Sequence, residues 1–261
     1  MFKLLKSKSF ANGKVYALKT DDGYPIEVTD TFLPYETKFA SKDGTNALKG
    51  ENLGSRAERW MVGVSTMSGC PVGCKFCATG NLKKCVNLTS AEIIEQVSRV
   101  VKSTRLDPRN SGEFKINYTR MGEPFLNLLN VRVAIDAISE YLPNTHHYVS
   151  TIGVKDSDFS WIKGNITLQI SLHSLDEARR NWLIPFKNKM SIEELGQIRT
   201  KSNLKTTINL TLVAEDDFDI NYLKKYFDPE YFFIKLSPIN ENKTSESNNI
   251  GKGVIEAKNL V

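Results

Sequence analysis

Three of the four cysteines in this 261-residue chain fall within eight consecutive positions, as Cys70, Cys74 and Cys77 in the segment SGCPVGCKFCATG. A spacing this short places three thiols on one loop, whatever fold surrounds it. Three thiolates on one loop suit a [4Fe-4S] cluster, in which three irons are bound by the protein and the fourth is free for another ligand. The spacing therefore predicts a fold that presents one metal-binding loop.

A structural zinc site is the alternative use of these cysteines. Such a site needs four nitrogen or sulfur ligands, commonly in two separated pairs, and the remaining cysteine of the chain is Cys85. Its distance from the triplet, and the neighbouring Lys83 and Lys84, disfavour it as a fourth ligand. In a reducing compartment we expect cysteines to be ligands or reactive groups rather than a disulfide framework.

The composition is that of an ordinary globular protein, with 40% hydrophobic and 25% charged residues. It excludes fibrous and wholly disordered chains, and the length suffices for one domain with a sizeable core. The net charge of +5 is compatible with a polyanionic partner but does not establish one. No segment reads as a signal peptide or approaches the roughly 18 apolar residues of a membrane span. We therefore expect a cytoplasmic protein with no membrane partner.

From residue 60 onward the chain alternates strand-like and helix-like segments. A helix with an apolar stripe is predicted over residues 90–102, opened by a capping box of Thr89 and Glu92, and a second box at Ser191 and Glu194 predicts a helix to residue 200. Six alternating strands indicate an α/β fold with a parallel sheet, either a partial (βα) barrel or an open doubly wound sheet. The strand-like runs are 60–65, 114–118, 147–151, 166–173, 205–213 and 231–237.

The two ends of the chain differ from this core. Residues 14–18 and 24–29 flank a Thr-Asp-Asp-Gly turn and predict a small β-hairpin. Polar residues follow up to position 58, and no periodicity is visible after position 240. We therefore predict a hairpin and polar linker over 1–58, the α/β core over 59–240 and an irregular tail over 241–261.

The C-x-x-x-C-x-x-C spacing, with Phe76 just before the last cysteine, resembles the signature of the radical S-adenosylmethionine superfamily. The resemblance implies a partial (βα)6 barrel of the radical SAM type, with Cys70, Cys74 and Cys77 as cluster ligands and S-adenosylmethionine as cofactor. In that superfamily one electron cleaves the cofactor and yields a 5′-deoxyadenosyl radical, which abstracts hydrogen from an unactivated carbon. An electron donor such as flavodoxin or ferredoxin is the implied protein partner.

A narrower resemblance comes from five further segments in order: NLTSAEIIEQV, MGEPFLNLLNV, VSTIGV, ISLHS with a following R-x-x-x-x-P, and SPIN. From about residue 60 to residue 240 the chain is similar to the RlmN and Cfr family, which methylates carbon 2 or carbon 8 of an adenine in RNA. The resemblance implies a nucleic acid or nucleotide substrate. It also implies cofactor contacts from Phe76, Gly122, Glu123, Pro124, Ser150, Ser171, His173 and Asn240.

The residues themselves support three of these contacts. Glu123 follows the second predicted strand, at the end where α/β sheets bind ligands, and a carboxylate suits the cofactor's ammonium group. A turn with a solvated glutamate is the alternative. In residues 166–173 apolar side chains alternate with a polar row that ends in Ser171 and His173. Because a strand buried on both faces would be apolar throughout, the polar row predicts a wet or ligand-filled lumen.

The chain departs from the family pattern at its methyl-transfer cysteines. The family's resolving cysteine, seven positions before the first cluster cysteine, is Gly63 here, and no cysteine follows Cys85 in these 261 residues. The family's N-terminal RNA-binding domain is also not recognisable. We therefore expect a radical enzyme that modifies a nucleotide, nucleic acid or peptide without a methyl-cysteine. The alternatives are an RNA adenine methyltransferase with a different methyl route or a partner, and a non-catalytic protein that keeps the cluster.

Overall fold

Strands and helices alternate along most of the structure, a computed structural model that describes residues 2–35, 53–211, 219–237, 239 and 242–250. Its helices are α1 (Ser90–Thr104), α2 (Leu128–Tyr141), α3 (Glu177–Leu183), α4 (Ile192–Gly196), α5 (Ile220–Tyr226) and α6 (Lys243–Ser247). Its strands are β1 (Lys3–Phe10), β2 (Gly13–Lys19), β3 (Pro25–Leu33), β4 (Arg59–Val64), β5 (Met67–Ser68), β6 (Val86–Asn87), β7 (Glu113–Tyr118), β8 (His146–Thr151), β9 (Lys163–Gly164), β10 (Ile166–Ser171), β11 (Lys201–Ser202), β12 (Thr206–Thr211) and β13 (Phe232–Ser237).

Nine of these strands form one sheet in the order β1-β2-β3-β4-β7-β8-β10-β12-β13. From β4 to β13 each strand pairs in parallel with its neighbour in the sheet. Helices lie in four of the five connections, and the connection from β8 to β10 contains only the short strand β9. Parallel pairing needs a crossover between strands, which α1, α2, α5 and the segment with α3 and α4 supply. The prediction of an α/β fold with six parallel strands, arranged as a partial (βα)6 barrel, is confirmed.

The N-terminal hairpin continues this sheet. β2 and β3 are the two predicted strands, and β1 extends them by a third. β3 then pairs antiparallel with β4, with Thr31 opposite Met61. The sequence did not reveal β1, since seven of its eight residues are exposed and give no apolar alternation.

The core lies between the sheet and its helices. The helix-facing side chains Val62, Ile116, Val149, Ile170 and Leu210 are fully buried, one from each of five parallel strands. Each such side chain contributes about 1.5–3 kcal/mol on burial. In the predicted stripe of α1, Ile93, Val97 and Val100 are buried, and the capping box of Thr89 and Glu92 is present.

Three element boundaries differ from their predictions. The helix expected to reach residue 200 ends at Gly196, where the backbone passes so close to the Tyr226 carbonyl that a Cβ would overlap it. The strand predicted over 166–173 ends at Ser171, because His173 adopts a left-handed φ of 63°. The tail predicted as irregular contains α6. Residues 212 and 213 of a further predicted strand lie outside the described part of the chain.

None of the helices described here has the length and apolar character needed to cross a bilayer.

Candidate cluster and cofactor site

One face of the parallel sheet carries a polar row, as the alternation in residues 166–173 predicts. Paired residues of parallel strands point to the same side, and the register pairs Ser150 with Gln169 and Ser171 with Asn209. The Ser150 hydroxyl donates a hydrogen bond of 3.0 Å to Gln169 Oε1. This face is the lumen of the partial barrel, opposite the helix-packed side.

The four cysteines lie on a loop whose base is closed by the antiparallel pair of β5 and β6. Cys70, Cys74 and Cys77 are partly buried, whereas Cys85 is exposed. The Cys77 amide donates a hydrogen bond of 3.1 Å to the Cys74 carbonyl, which tightens the turn between them. The loop thus separates the three predicted ligands from the fourth cysteine.

A buried amide side chain fixes the base of this loop. Asn127 Nδ2 donates to the carbonyls of Thr66 and Leu88, at 2.7 Å each. These two residues immediately precede and follow the hairpin that carries the loop, and the Leu88 amide also donates to the Thr66 carbonyl at 3.1 Å. Asn127 therefore joins the loop to the Gly-Glu-Pro segment, which lies just before it in the chain.

The far end of the loop is held by α3 and by the segment around α6. The Lys75 amide donates to the Leu183 carbonyl at 2.9 Å. Asn242 Nδ2 donates to the Phe76 carbonyl at 2.9 Å, and Asn248 Nδ2 donates to the Lys75 carbonyl at 3.0 Å. The two residues that precede Cys77 are thus tied to two separate elements.

The electrostatics of the thiols fit a cationic partner. Burial raises the pKa of Cys70 to about 12, with Glu123, Cys77 and Cys85 as further contributors. Burial, and then the neighbouring Cys77 and Cys70, raise the pKa of Cys74 well above its ordinary value. Three thiolates here would repel one another in a poorly solvated region, so they need bound positive charge such as iron. Within the described residues, however, no three potential ligands converge as in a metal-bound site.

Glu123 lies after β7 and is 3% exposed. Its Oε1 accepts a hydrogen bond from the Phe125 amide at 3.1 Å, and its Oε2 accepts one from the Ile152 amide at 2.9 Å. Burial raises the pKa of its carboxyl to about 7, although the hydrogen bonds to the carboxylate favour the ionised form and act in the opposite direction. A cationic group beside it would stabilise the carboxylate, as expected of a residue that binds an ammonium group.

Gly122 brings the Gly-Glu-Pro segment against the base of the cysteine loop. It adopts a φ of 101°, which other residues rarely adopt. A Cβ at this position would lie 2.7 Å from Met67 Cβ. The predicted contact residue Pro124 begins a buried 3₁₀ turn beside it.

His173 follows β10 at the same end of the sheet. Its Nδ1 accepts a hydrogen bond of 3.2 Å from the Thr211 amide, so the neutral ring carries its proton on Nε2. Burial, and then the charge of Arg180, lower the pKa of His173 to about 4. The ring is therefore neutral near pH 7. It meets the ring of Phe76, a member of the cysteine loop, with 4.8 Å between centroids.

The structure thus brings most of the predicted residues to one end of the lumen. The cysteine loop with Phe76 contacts His173, and the loop base contacts Gly122 beside Glu123. Ser150 and Ser171 lie on the lumen face of β8 and β10. Asn240 is outside the residues that the structure describes. The assignment of these residues as ligands stays a prediction.

Sequence reasoning missed two residues of this region. Asn127 lies in the segment MGEPFLNLLNV, where nothing distinguished it from a helix-start asparagine. Arg180 is the arginine of the R-x-x-x-x-P pattern and is fully buried, although arginine is rarely so. The pattern singles out Arg180 in the sequence, but the role of this arginine depends on contacts that only the fold reveals.

Comparisons with known proteins agree with the fold and the motifs. No family model matches the chain. A probable dual-specificity RNA methyltransferase RlmN of Pseudothermotoga lettingae is 33% identical over 190 residues, covering 68% of this chain and 54% of the relative. The corresponding protein of Chlorobium phaeobacteroides is 37% identical over 179 residues, covering 65% and 49%. The chain spans about half the length of these curated relatives.

A solved structure extends the likeness to the whole fold. The crystal structure of a radical SAM methyltransferase from Sphaerobacter thermophilus matches with a TM-score of 0.68 and 22% identity. The match covers 92% of this chain and 67% of that one. It shows the same fold, and together with the sequence likeness it confirms that the chain resembles the RlmN-type proteins.

Proposed function

We propose that Cys70, Cys74 and Cys77 bind a [4Fe-4S] cluster and that the chain uses it to cleave S-adenosylmethionine reductively. The observation that carries this proposal is the meeting of the cysteine loop with Glu123 and His173 at one end of the lumen. When bound, the cluster supplies the electron that converts the cofactor to methionine and a 5′-deoxyadenosyl radical. A one-electron donor such as flavodoxin or ferredoxin would reduce it.

The protein's own groups would orient the cofactor. The Glu123 carboxylate would accept a hydrogen bond from the cofactor's ammonium group. Two backbone amides already hold the carboxylate in place. His173 presents its Nε2 proton as a donor, because its Nδ1 is already an acceptor. Phe76 of the cysteine loop packs against this histidine, and Ser150 and Ser171 offer hydroxyls from the lumen wall.

The lumen also suits a substrate with aromatic bases and phosphates. The Lys115 ammonium lies 5.1 Å from the centre of the Tyr148 ring on this face. By register, Phe233 and Lys235 of β13 share the face, and Phe233 is 51% exposed. Exposed aromatic rings stack on bases and lysines bind phosphates. With relatives named as RNA methyltransferases, this favours a nucleotide or nucleic acid over a peptide.

The geometry at Gly63 argues against the family's methyl-cysteine route. A Cβ at this position would overlap Thr29 Oγ1 and lie 3.0 Å from Arg120 Cδ. Arg120 is held there by an ion pair with Glu27. The place that the family resemblance assigns to the resolving thiol is thus occupied by other side chains. We therefore propose a radical modification that does not pass through a methylated cysteine.

The second candidate is RNA adenine methylation, which the relatives' names favour. Reductive incubation of the reconstituted protein with methyl-labelled cofactor separates the two. We expect 5′-deoxyadenosine, little S-adenosylhomocysteine and no label on any cysteine. Label on Cys85, or on carbon 2 or carbon 8 of an RNA adenine, would favour methylation instead. Absence of 5′-deoxyadenosine would contradict both candidates.

A further inference from the structure

Arg180 of α3 is fully buried, although it carries a permanent charge. Its Nη1 donates to the Met190 carbonyl at 2.7 Å and its Nη2 donates to the Ile152 carbonyl at 2.8 Å. Its Nε has no hydrogen-bond partner among the described residues. Glu177 lies 3.9 Å away, but its side chain is 41% exposed. A buried and incompletely paired cation lowers the stability of the folded protein. We therefore expect this arginine to have a role beyond packing.

The backbone of Ile152 connects Arg180 to Glu123. The Ile152 carbonyl accepts from Arg180, and the Ile152 amide donates to Glu123 Oε2 at 2.9 Å. Ile152 therefore lies between a buried cation and the carboxylate of the candidate site. Movement of this residue would change the position of the carboxylate oxygen.

The same helix holds the cysteine loop. The last residue of α3, Leu183, accepts the hydrogen bond from the Lys75 amide, and Pro185 beyond it lies near Gly73. The positive charge of Arg180 and a negative charge on Cys74 stabilise each other. Arg180 also lies close enough to His173 to disfavour its charged form. Its charge thus acts on two of the groups assigned to the site, Cys74 and His173.

We propose that Arg180 is a positioning residue that fixes Ile152 against Glu123, seats the cysteine loop on α3 and places positive charge beside Cys74. The part that concerns charge rests on the proposed cluster. The part that concerns position rests on contacts of the protein alone. No role in contacting substrate is assigned to it.

Hydrogen exchange in the cluster-free protein tests the positioning. Arg180→Lys keeps the charge but loses the two-pronged donor geometry, and Arg180→Gln loses the charge. Both should accelerate exchange by about tenfold or more in peptides covering residues 70–77 and 151–153, because charged hydrogen bonds to buried carbonyls are lost. Arg179→Gln on the same helix is the matched control and should leave these peptides unchanged. Unchanged exchange in both Arg180 variants, or equal acceleration in the control, would overturn the inference.

The reduction potential of the reconstituted protein tests the charge. Removing a nearby cation destabilises the reduced cluster, so Arg180→Gln should shift the potential to more negative values while Arg180→Lys stays near wild type. Equal potentials in Arg180→Gln and Arg179→Gln would refute the electrostatic part. If the wild type takes up no iron, the proposed function fails, and hydrogen exchange still decides whether Arg180 positions the loop.

Discussion

The ring of Phe76 meets the ring of His173 edge to face, with 4.8 Å between the centroids and an angle of 75° between the planes. Phe76 belongs to the cysteine loop and His173 follows β10, so this contact joins residues almost a hundred positions apart. His173 adopts a left-handed backbone and its Nδ1 is held by Thr211. The aromatic contact thus connects the loop to a histidine whose orientation is already fixed.

Replacing Phe76 by alanine should weaken cofactor binding by about twofold to tenfold, because an aromatic pair contributes about 0.5–1.5 kcal/mol. Calorimetry on the reconstituted protein measures the affinity. Phe10→Ala is the control, since Phe10 is 51% exposed on β1, away from the predicted contacts. Equal affinities in wild type and Phe76→Ala would show that this contact does not support the cofactor.

The three clustered cysteines should bind iron together and without Cys85. Reconstitution of the wild type should give a brown protein with about four irons, as for three-thiolate sites. Combined replacement of Cys70, Cys74 and Cys77 by alanine should abolish the absorbance. Cys85→Ala should keep it, because Cys85 is exposed. Iron analysis decides: a comparable loss of iron in Cys85→Ala would show that the ligand set is wrong.

Much of this architecture was predictable because its signals are local. Strand and helix alternation from residue 60 gave the six parallel strands, and the Thr89 and Glu92 box gave the start of α1. β1 was not predictable, since its side chains are mostly exposed and its stability comes from pairing with β2. The contacts of Asn127 and Arg180 were not predictable either. Their partners are backbone carbonyls up to 61 positions away, which only the tertiary fold brings within reach.

Cofactor affinity should depend on the protonation of Glu123. Burial raises its pKa to about 7, so the carboxyl is mostly neutral at pH 6 and mostly ionised at pH 8. Only the ionised form makes a charge-assisted hydrogen bond to an ammonium group. Affinity at pH 6 should therefore be about tenfold weaker than its high-pH limit. Calorimetry at several pH values measures it, and Glu123→Gln should show weaker binding without this pH dependence.

The raised pKa of Glu123 also affects the stability of the cluster-free protein. The folded state holds a proton up to about pH 7, whereas the unfolded chain releases it near the ordinary value of 4.5. The stabilisation is therefore fully present below pH 4.5 and is lost as the pH rises through 7. Urea unfolding at several pH values should show wild type losing stability relative to Glu123→Gln over this interval. If the difference in unfolding free energy between the two proteins does not change with pH, the pKa of Glu123 is not raised.

The segment around α6 should stabilise the cysteine loop. Asn242 and Asn248 donate to the carbonyls of Phe76 and Lys75. Replacing both asparagines by alanine removes two donors and the N-cap acceptor of α6, Asn242 Oδ1, and should cost about 1–3 kcal/mol of local stability. Hydrogen exchange should accelerate in residues 74–77 and not in α1. Asn203→Ala, at an exposed hydrogen bond to Asn165, is the control and should leave the loop unchanged. An unchanged loop in the double variant would show that α6 does not hold it.

Gly63 should not tolerate a side chain while Thr29 is present. The two residues are paired across β3 and β4, and a Cβ on residue 63 would overlap Thr29 Oγ1. Overpacking of this kind costs about 1–3 kcal/mol. Gly63→Ala should therefore lower the free energy of unfolding in urea by that amount.

A double-mutant cycle separates this clash from other effects of the added methyl group. Thr29→Ala removes the overlapping oxygen, so the cost of Gly63→Ala should be smaller in the Thr29→Ala background, with a coupling of about 1 kcal/mol. Thr31→Ala is the control, because Thr31 lies on the same strand opposite Met61. In the Thr31→Ala background, Gly63→Ala should lower the free energy of unfolding by the same amount as in the wild type. If the cost is equal in all three backgrounds, Thr29 does not block this position, and Arg120 remains as the side chain that fills the place of the family's thiol.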